Sequence, residues 1–121
     1  MKQLMVIGTD TDVGKTYVSG LILKKLHENG KKAAYFKAAM SGNVRLADGF
    51  LLPGDADFVK TISGISQPLA DMCPYVYETA VSPHLAAKIE GNPIEWEKIQ
   101  ETYDPLCGTY DFVTVEGSGG I

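Results

Sequence analysis

The sequence predicts an α/β domain in which a parallel β-sheet is flanked by helices. Three short segments, residues 4–7, 33–37 and 111–116, have the apolar character of buried strands. A helical pattern separates the first two, and a strand–helix–strand unit predicts parallel pairing through a right-handed crossover. The length of 121 residues suits one compact domain, so residues 1–121 are treated as a single unit.

The segment after the first strand has the pattern of a phosphate-binding loop. Residues 8–16 are Gly-Thr-Asp-Thr-Asp-Val-Gly-Lys-Thr and lie between a strand and a helical segment. Unpaired N–H groups at a helix start attract phosphate, Lys15 supplies positive charge for the outer phosphates, and the Thr16 hydroxyl is suited to bind Mg²⁺. Five residues separate Gly8 from Gly14, where the common Walker A pattern has four. The context favours a P-loop NTPase-like fold; a surface turn with a chance Gly-Lys-Thr is the alternative.

The first helix is predicted over residues 15–29. Four apolar residues recur on one face at helical spacing, and Gly30 is placed to end the helix in a left-handed turn. The four residues expected to face the sheet are Val18, Leu21, Ile22 and Leu26.

Lys37 ends the second predicted strand. Because the carboxyl ends of parallel strands open on one edge of a sheet, Lys37 is expected near the loop that starts at Gly8. A solvated lysine at a strand end is the alternative interpretation, but the shared edge favours a functional role.

A long connection over residues 38–54 precedes the next helix, and connections of this length are often functional. Asp55 is predicted to cap that helix, and Gly64 is predicted to end it. A carboxylate near bound Mg²⁺ is the second interpretation of Asp55, and Asp57 competes for that role. The residues expected to face inward are Phe58, Val59 and Ile62.

A third helix is predicted to begin at Ser82-Pro83, which has the pattern of an N-cap followed by proline, and to end at Gly91. A short extended segment, residues 75–77, precedes it. His84 is expected to belong to the helix start, with a ligand or proton-transfer role as the less favoured alternative.

A fourth helix is predicted over residues 94–103, with Asp104-Pro105 as its end. In these two helices the residues expected to pack inward are Leu85, Ala86, Ala87, Ile89, Trp96 and Ile99.

Glu116 ends the third predicted strand and is followed by Gly117-Ser118-Gly119-Gly120. Nucleotide-binding proteins place a second contact to Mg²⁺, often through water, on a carboxylate at the end of a buried strand. A half-buried strand with a solvated terminal acid is the alternative. The glycines allow the backbone to come close to a ligand.

Composition argues against several classes of protein. Fifteen acidic and eleven basic residues give a formal net charge of −4, and no basic cluster indicates nucleic acid as the main partner. No apolar stretch approaches the roughly 20 residues of a membrane span, and the first strand begins too early for a signal peptide. Cys73 and Cys107 form no Cys-x-x-Cys pair, so two reduced thiols in a cytoplasmic protein are expected.

Four separated segments together resemble dethiobiotin synthetase, the ATP-dependent enzyme that closes the ureido ring in biotin synthesis. The five-residue spacing in the loop is that family's own form, and the resemblance covers the whole chain. The segments are residues 8–16, Lys37 with Ser41-Gly42, Ser82-Pro83-His84, and Val115-Glu116-Gly117-Ser118-Gly119-Gly120.

The resemblance implies that residues 1–121 are the N-terminal portion of a longer P-loop protein. The family's chain continues with more strands, the adenine-binding segment and part of a homodimer surface. We therefore expect these residues alone to be poorly stable or to need a partner, because strands without their neighbours have exposed edges.

The resemblance also implies a reaction and its cofactors, ATP and Mg²⁺. The substrate 7,8-diaminopelargonic acid reacts with CO₂ to form a carbamate, and ATP phosphorylates the carbamate. The neighbouring amine then attacks the mixed anhydride, which gives dethiobiotin, ADP and phosphate.

Residue roles follow from the same resemblance. Lys37 is implied to stabilise charge on the carbamate and on the transferring phosphoryl group, and Lys15 to hold the outer phosphates. The implied Mg²⁺ ligands are Thr16, Asp55 and Glu116, and Thr11, Lys37 and Ser41 are implied to touch the substrate. The other implied nucleotide contacts are Asp12, where the family often has Glu, and Val13, Gly14, Tyr17, Gly117, Ser118 and Gly119.

Three other classes stay open at this point. A related ATP-dependent amide ligase of the cobyrinic acid synthase type shares the loop style but should lack the Lys37 and Ser41 arrangement. A ParA/MinD-like ATPase switch carries an additional Lys at the start of its loop, where this chain has Thr9, Asp10 and Thr11. A non-catalytic fragment would keep nucleotide contacts only.

Overall fold

Strands and helices alternate along the computed structural model, which describes residues 2–6 and 12–117. Three longer strands of this part of the chain form one sheet, and two pairs of very short strands lie outside it. In chain order the elements are β1 (Lys2–Val6), α1 (Asp12–Glu28), β2 (Ala33–Phe36), β3 (Ala39–Met40), β4 (Val44–Arg45), β5 (Leu51–Leu52), α2 (Gly54–Ser63), a 3-10 helix (Leu69–Asp71), β6 (Tyr75–Val76), α3 (Pro83–Glu90), α4 (Trp96–Thr109) and β7 (Phe112–Glu116).

The central sheet is parallel and has the strand order β1-β7-β2. In the register, Val6 lies opposite Glu116 and Phe36 lies opposite Val115. The α/β class and the parallel pairing predicted from the sequence are therefore confirmed. Because the three strands run in the same direction, Glu116 and Lys37, the residue after β2, lie at one edge of the sheet.

Helices cover both faces of this sheet. On one face α1 and α2 pack over a core that contains the fully buried Leu23, Tyr35 and Val59. On the other face Leu106 of α4 packs against Val113 of β7. The Glu116 end of β7 thus lies between helical layers, which shields it from water.

The first helix begins at Asp12, three residues before its predicted start, and ends at Glu28. Gly30, with φ of 74°, supplies the predicted left-handed turn. Near the middle of α1, an added Cβ on Gly20 would lie 2.5 Å from Ile62 Cγ2. Glycine at this position therefore lets α2 pack closely against α1.

The buried face of α1 agrees with the predicted one only in part: Leu26 packs against the core and Ile22 is half-buried, but the other two residues are not buried. Val18 and Leu21 are exposed, whereas Ser19 and Leu23 are fully buried. Val18 and Leu21 do recur at helical spacing, but Thr16 and Ser19 are held at the sheet edge by Glu116. The face of α1 that contains Thr16, Ser19 and Leu23 therefore packs toward the sheet.

The second helix differs from the prediction at its start. It begins at Gly54 with Pro53 in the N-cap position, and no side chain caps it. Asp55 is therefore not the cap; it lies in the first turn, where a carboxylate interacts favourably with the helix dipole. The predicted end is confirmed, because Gly64 has the left-handed φ of 77°.

The third helix has the ends that the sequence predicts. Ser82 Oγ accepts a hydrogen bond from the Leu85 N–H at 3.4 Å, and Pro83 is the first helical residue. Gly91 ends α3 with φ of 66°. These are local signals, and no distant contact overrides them.

The fourth helix begins at Trp96 and continues through Pro105, so the prediction that Asp104-Pro105 ends it is wrong. A proline removes one helical N–H, and the carbonyl that loses its partner belongs to Glu101, an exposed residue. Water can therefore satisfy that carbonyl, while the buried Leu106 anchors the last turn on the sheet.

Several residues predicted to pack inward are instead exposed. These are Phe58, Leu85, Ile89 and Trp96. Val59, Ala86 and Ala87 are buried as predicted, and Ile62 and Ile99 are half-buried. In α3 the two small alanines face the core, so helical spacing of large apolar residues did not identify the packed face.

The long connection predicted over residues 38–54 contains three short strands. Parallel pairing joins β3 to β6, which lies within the extended segment predicted at residues 75–77. Antiparallel pairing joins β4 to β5. No helix in the described part of the chain is long and apolar enough to cross a membrane.

The outer edge of β2 is covered by the side chain of Gln67. Its Oε1 accepts a hydrogen bond from the Tyr35 N–H at 2.7 Å, and its Nε2 donates to the Tyr35 carbonyl at 3.0 Å. One amide thus satisfies both main-chain groups that a neighbouring strand would otherwise pair with. Two residues further on, the Lys37 N–H donates to the Met72 carbonyl at 2.8 Å.

Candidate functional site

Glu116 is the centre of a buried polar cluster at the carboxyl edge of the sheet. Thr16 Oγ1 donates to Glu116 Oε2 at 3.2 Å, and Ser19 Oγ lies 3.2 Å from Glu116 Oε1. Ser19 follows Thr16 by three positions along α1, so one helix face presents both hydroxyls. The Ser19 hydroxyl also lies 3.0 Å from the Lys15 carbonyl, and its single proton is shared between two acceptors.

Lys37 bridges two carboxylates. Its Nζ lies 2.7 Å from Asp55 Oδ2 and 2.9 Å from Glu116 Oε2. The Lys37 and Glu116 side chains are 3% and 0% exposed, and Asp55 is 33% exposed. Burial lowers the pKa of Lys37, but hydrogen bonds and attraction from the two carboxylates outweigh burial and hold the pKa above its usual value. The ammonium therefore stays charged at neutral pH.

The start of α1 adjoins this cluster. Lys15 is buried in the first turn, and its Nζ donates to the Gly117 carbonyl at 3.2 Å. Gly14, one residue earlier, is exposed, and an added Cβ there would meet no atom of the described chain within 4 Å. The N–H groups of a first helical turn lack intrahelical acceptors and lie at the positive end of the dipole. This position therefore suits an anion.

Tyr35 lies on the same side of the sheet as the cluster. Its side chain is fully buried, and its hydroxyl makes no hydrogen bond of normal geometry to a described residue, although the Glu116 carboxylate lies near enough to act on it as a weak acceptor. Burial, followed by the negative charges of Glu116 and Asp55, raises the pKa of Tyr35 well above its usual value. The phenol is therefore neutral and within electrostatic reach of both carboxylates.

The cluster offers oxygen ligands of the kind that a hard divalent cation prefers. Asp55 and Glu116 converge on one point, because a single ammonium contacts both within 3 Å. Thr16 adds a hydroxyl beside Glu116. In the described residues, no group of three or more His, Cys, Asp or Glu could hold a metal ion. Mg²⁺ is commonly bound by one or two carboxylates together with phosphate oxygens and water, so this small ligand set is compatible with it.

The structure brings together six of the residues singled out in the sequence: Lys15, Thr16, Lys37, Asp55, Glu116 and Gly117. Asp12, Val13, Gly14 and Tyr17 lie in the first turns of α1. Thr11, Ser118 and Gly119 lie outside the described residues. The roles of all these residues stay predictions, and Asp55, not Asp57, contacts Lys37.

Ser41 is held by a different segment. Its hydroxyl donates to the Val81 carbonyl, just before α3. The predicted substrate contact of Ser41 therefore competes with an existing hydrogen bond.

Sequence reasoning missed two residues of this region, Ser19 and Tyr35. Both carried a usable signal: Ser19 is one helical turn from Thr16, and Tyr35 is two residues from Lys37 along a strand. Applying these periods to the predicted site residues would have placed Ser19 and Tyr35 on the same faces as their neighbours.

Comparison with known protein families identifies the family of this chain. A family profile described as an AAA domain matches residues 2–121. The chain belongs to this AAA domain family. The matched region includes every residue of the cluster.

Several curated relatives of this AAA domain carry the name ATP-dependent dethiobiotin synthetase BioD. The protein from Clostridium novyi (strain NT) is 50% identical over 118 residues, which is 98% of this chain and 49% of the relative. The protein from Clostridium perfringens (strain 13 / Type A) is 47% identical over 120 residues, 99% of this chain and 52% of the relative. The protein from Clostridium acetobutylicum is 45% identical over 121 residues, 100% of this chain and 50% of the relative.

The resemblance to dethiobiotin synthetase predicted from the sequence is thereby confirmed. This AAA domain spans about half the length of the curated relatives that it matches. The prediction that the chain corresponds to a portion of a longer family protein is confirmed as well.

Proposed function

We propose that this chain is the ATP-binding portion of a dethiobiotin synthetase. The observation that carries the proposal is the Lys37 ammonium held between Asp55 and Glu116, beside the start of α1. A helix start suited to phosphate and a buried cluster suited to a cation lie next to each other, as phosphoryl transfer from ATP requires. The names of the curated relatives support the same assignment.

The proposed reaction joins 7,8-diaminopelargonic acid and CO₂ with use of ATP. One amine of the diamine and CO₂ form a carbamate. A carbamate oxygen then accepts the γ-phosphoryl group of ATP, and ADP is the leaving group. The second amine then attacks the carbonyl carbon. Phosphate departs, the ureido ring closes, and the amine loses its proton.

Phosphoryl transfer among anions depends on positioning and charge neutralisation more than on covalent catalysis. We assign Lys15 to the outer phosphates and Lys37 to the negative charge of the carbamate and of the transferring group. Thr16, Asp55 and Glu116 would hold Mg²⁺, which neutralises phosphate charge when bound. Because Gly14 has no side chain, the phosphates can approach the helix start closely.

The remaining assignments follow the resemblance. Thr11 and Ser41 would contact the diamine side, and residues 12–17 with Gly117, Ser118 and Gly119 would surround the nucleotide. We also propose that the protein works in the cytoplasm as a homodimer on small molecules. Light scattering of the full native chain tests the dimer.

Phosphate release tests the proposed reaction. The full native chain is incubated with ATP, Mg²⁺ and bicarbonate, with and without 7,8-diaminopelargonic acid. We expect the diamine to stimulate phosphate release and dethiobiotin to appear by mass spectrometry. ATP binding with no stimulation would instead favour an amide ligase of another substrate class or an ATPase switch.

A lysine variant separates binding from chemistry. Lys37→Ala should abolish ring closure while ATP binding is largely kept. Loss of ATP binding as the main effect would contradict the assignment of Lys37 to the carbamate.

A further inference from the structure

The Tyr35 hydroxyl is a buried polar group for which the proposed function so far has no role. It is fully enclosed and makes no hydrogen bond of normal geometry to a described residue, although the Glu116 carboxylate lies near enough to act on it as a weak acceptor. Burying a hydroxyl without a partner destabilises a folded protein, whereas phenylalanine has the same shape without that penalty. The position therefore calls for an explanation beyond core packing.

The sheet register places Tyr35 beside the cluster. Tyr35 lies opposite Thr114 of β7, and Glu116 follows two residues later on the same face. Lys37 follows Tyr35 by two residues, directly after β2, so both partners of the ion pair lie next to the tyrosine on its carboxyl-terminal side. The charges of Glu116 and Asp55 are felt at the phenol.

Glu116 depends on donors that have other uses. The Ser19 proton is shared with the Lys15 carbonyl, and the Lys37 ammonium is shared with Asp55. In the proposed reaction Lys37 must also face the anions of the substrate. When Lys37 turns to the substrate anions, Glu116 keeps the proposed Mg²⁺ but loses a donor that fixes the orientation of its carboxylate, and the nearby phenol can supply that donor.

We propose that Tyr35 is a positioning residue of the nucleotide site, whose hydroxyl donates to the Glu116 carboxylate when Lys37 faces the anions of the bound substrates. This inference rests on the proposed function. Tyr35 acts through Glu116 and does not touch the reacting atoms. It keeps the Glu116 carboxylate oriented while the ammonium is engaged elsewhere.

The Tyr35→Phe variant tests this role in the full native chain. Isothermal titration calorimetry gives the Kd of ATP with Mg²⁺ and with EDTA, and calorimetric melting gives the Tm without ligand. We expect the Kd with Mg²⁺ to rise about tenfold, as for loss of one hydrogen bond to a charged group. The Kd in EDTA should not change, and the ligand-free Tm should stay the same or rise.

Thr114→Val is the matched control. Thr114 Oγ1 is also buried without a partner among the described residues and lies on the neighbouring strand. Its removal should leave the Kd with Mg²⁺ at the wild-type value.

Three outcomes overturn the proposal: an unchanged Kd with Mg²⁺ in Tyr35→Phe, equal weakening with Mg²⁺ and with EDTA, or equal weakening by Thr114→Val. Each of them leaves the proposed function intact, because wild-type binding is measured alongside. Failure of the wild-type chain to bind ATP with Mg²⁺ would instead refute the proposed function, and the role of Tyr35 with it.

Discussion

Replacing Lys37 with Met removes the positive charge from between two carboxylates and keeps the apolar stem of the side chain. At 2.9 Å from Glu116, the ammonium has an attraction of about 6 kcal/mol at an effective dielectric constant of about 20. Removing the charge from water offsets much of this, and the Asp55 contact is weakened because that carboxylate is one-third exposed. Loss of one partner of a buried pair typically costs about 3–5 kcal/mol, which we expect for Lys37→Met.

Calorimetric melting at neutral pH measures this loss. One kcal/mol shifts the Tm of a domain of 150–250 residues by roughly 3 °C, so the Tm of the full native chain should fall by about 10–15 °C. Lys60→Met is the matched control. The Lys60 Nζ donates to the Gln67 carbonyl at 2.6 Å, a neutral acceptor, so its loss should cost only about 1–2 kcal/mol.

The pH dependence of stability and the effect of Mg²⁺ show whether the loss of stability comes from the missing charge of Lys37. The raised pKa of Lys37 means that its contribution is complete below its unfolded value and is lost only as pH rises through the higher folded value. Wild-type stability should therefore show no loss from Lys37 between neutral pH and about pH 9.

Millimolar Mg²⁺ without nucleotide should raise the Tm of Lys37→Met more than that of the wild type, because two convergent carboxylates are left without their ammonium. Adding Asp55→Asn to the variant should remove most of this gain. Equal Mg²⁺ effects on wild type and Lys37→Met, or a Tm loss no greater than in Lys60→Met, would refute the charge reasoning.

Three other changes have defined outcomes. Gly14→Ala should raise the ligand-free stability by about 0.5–1 kcal/mol, since alanine favours a helix. ATP binding should weaken, because the new Cβ occupies the space that we assign to phosphate. An unchanged calorimetric Kd of ATP would contradict the assignment of this space to phosphate. Gln67→Ala leaves two main-chain groups of Tyr35 without partners and should cost about 2–4 kcal/mol in urea unfolding; a loss below that of Lys60→Met would show that water replaces the amide. Burial raises the pKa of the Cys73 thiol to about 12. Ellman's reagent at pH 8 should therefore modify the half-buried Cys107 in the native protein, and Cys73 only after unfolding. Rapid reaction of both cysteines in the native protein would contradict the burial of Cys73.

The sequence predicted the parallel sheet and most helix ends because those signals are local. Gly30, Gly64 and Gly91 each end a helix with a left-handed turn, a conformation that glycine adopts without strain. The continuation of α4 through Pro105 was not predictable in this way. It depends on Leu106 packing against the sheet, which is a tertiary contact that overrides the local preference.

The candidate site also has one part that local sequence signals predict and one part that depends on tertiary packing. Lys37 and Glu116 were placed at one edge because parallel strands share the direction of their carboxyl ends. Their direct contact, and the choice of Asp55 over Asp57, depend on how α2 packs against α1 at Gly20. The packing distance between α1 and α2 cannot be inferred from the spacing of residues in the sequence.

The Gln67 amide has a consequence for how the sheet can grow. A side chain that occupies the pairing groups of Tyr35 prevents another strand, from this chain or from a second copy, from docking along β2. In the described residues β1 pairs with β7 alone, on one side. A fourth strand can therefore add to the sheet only beside β1, which is the edge strand opposite to β2 and Lys37.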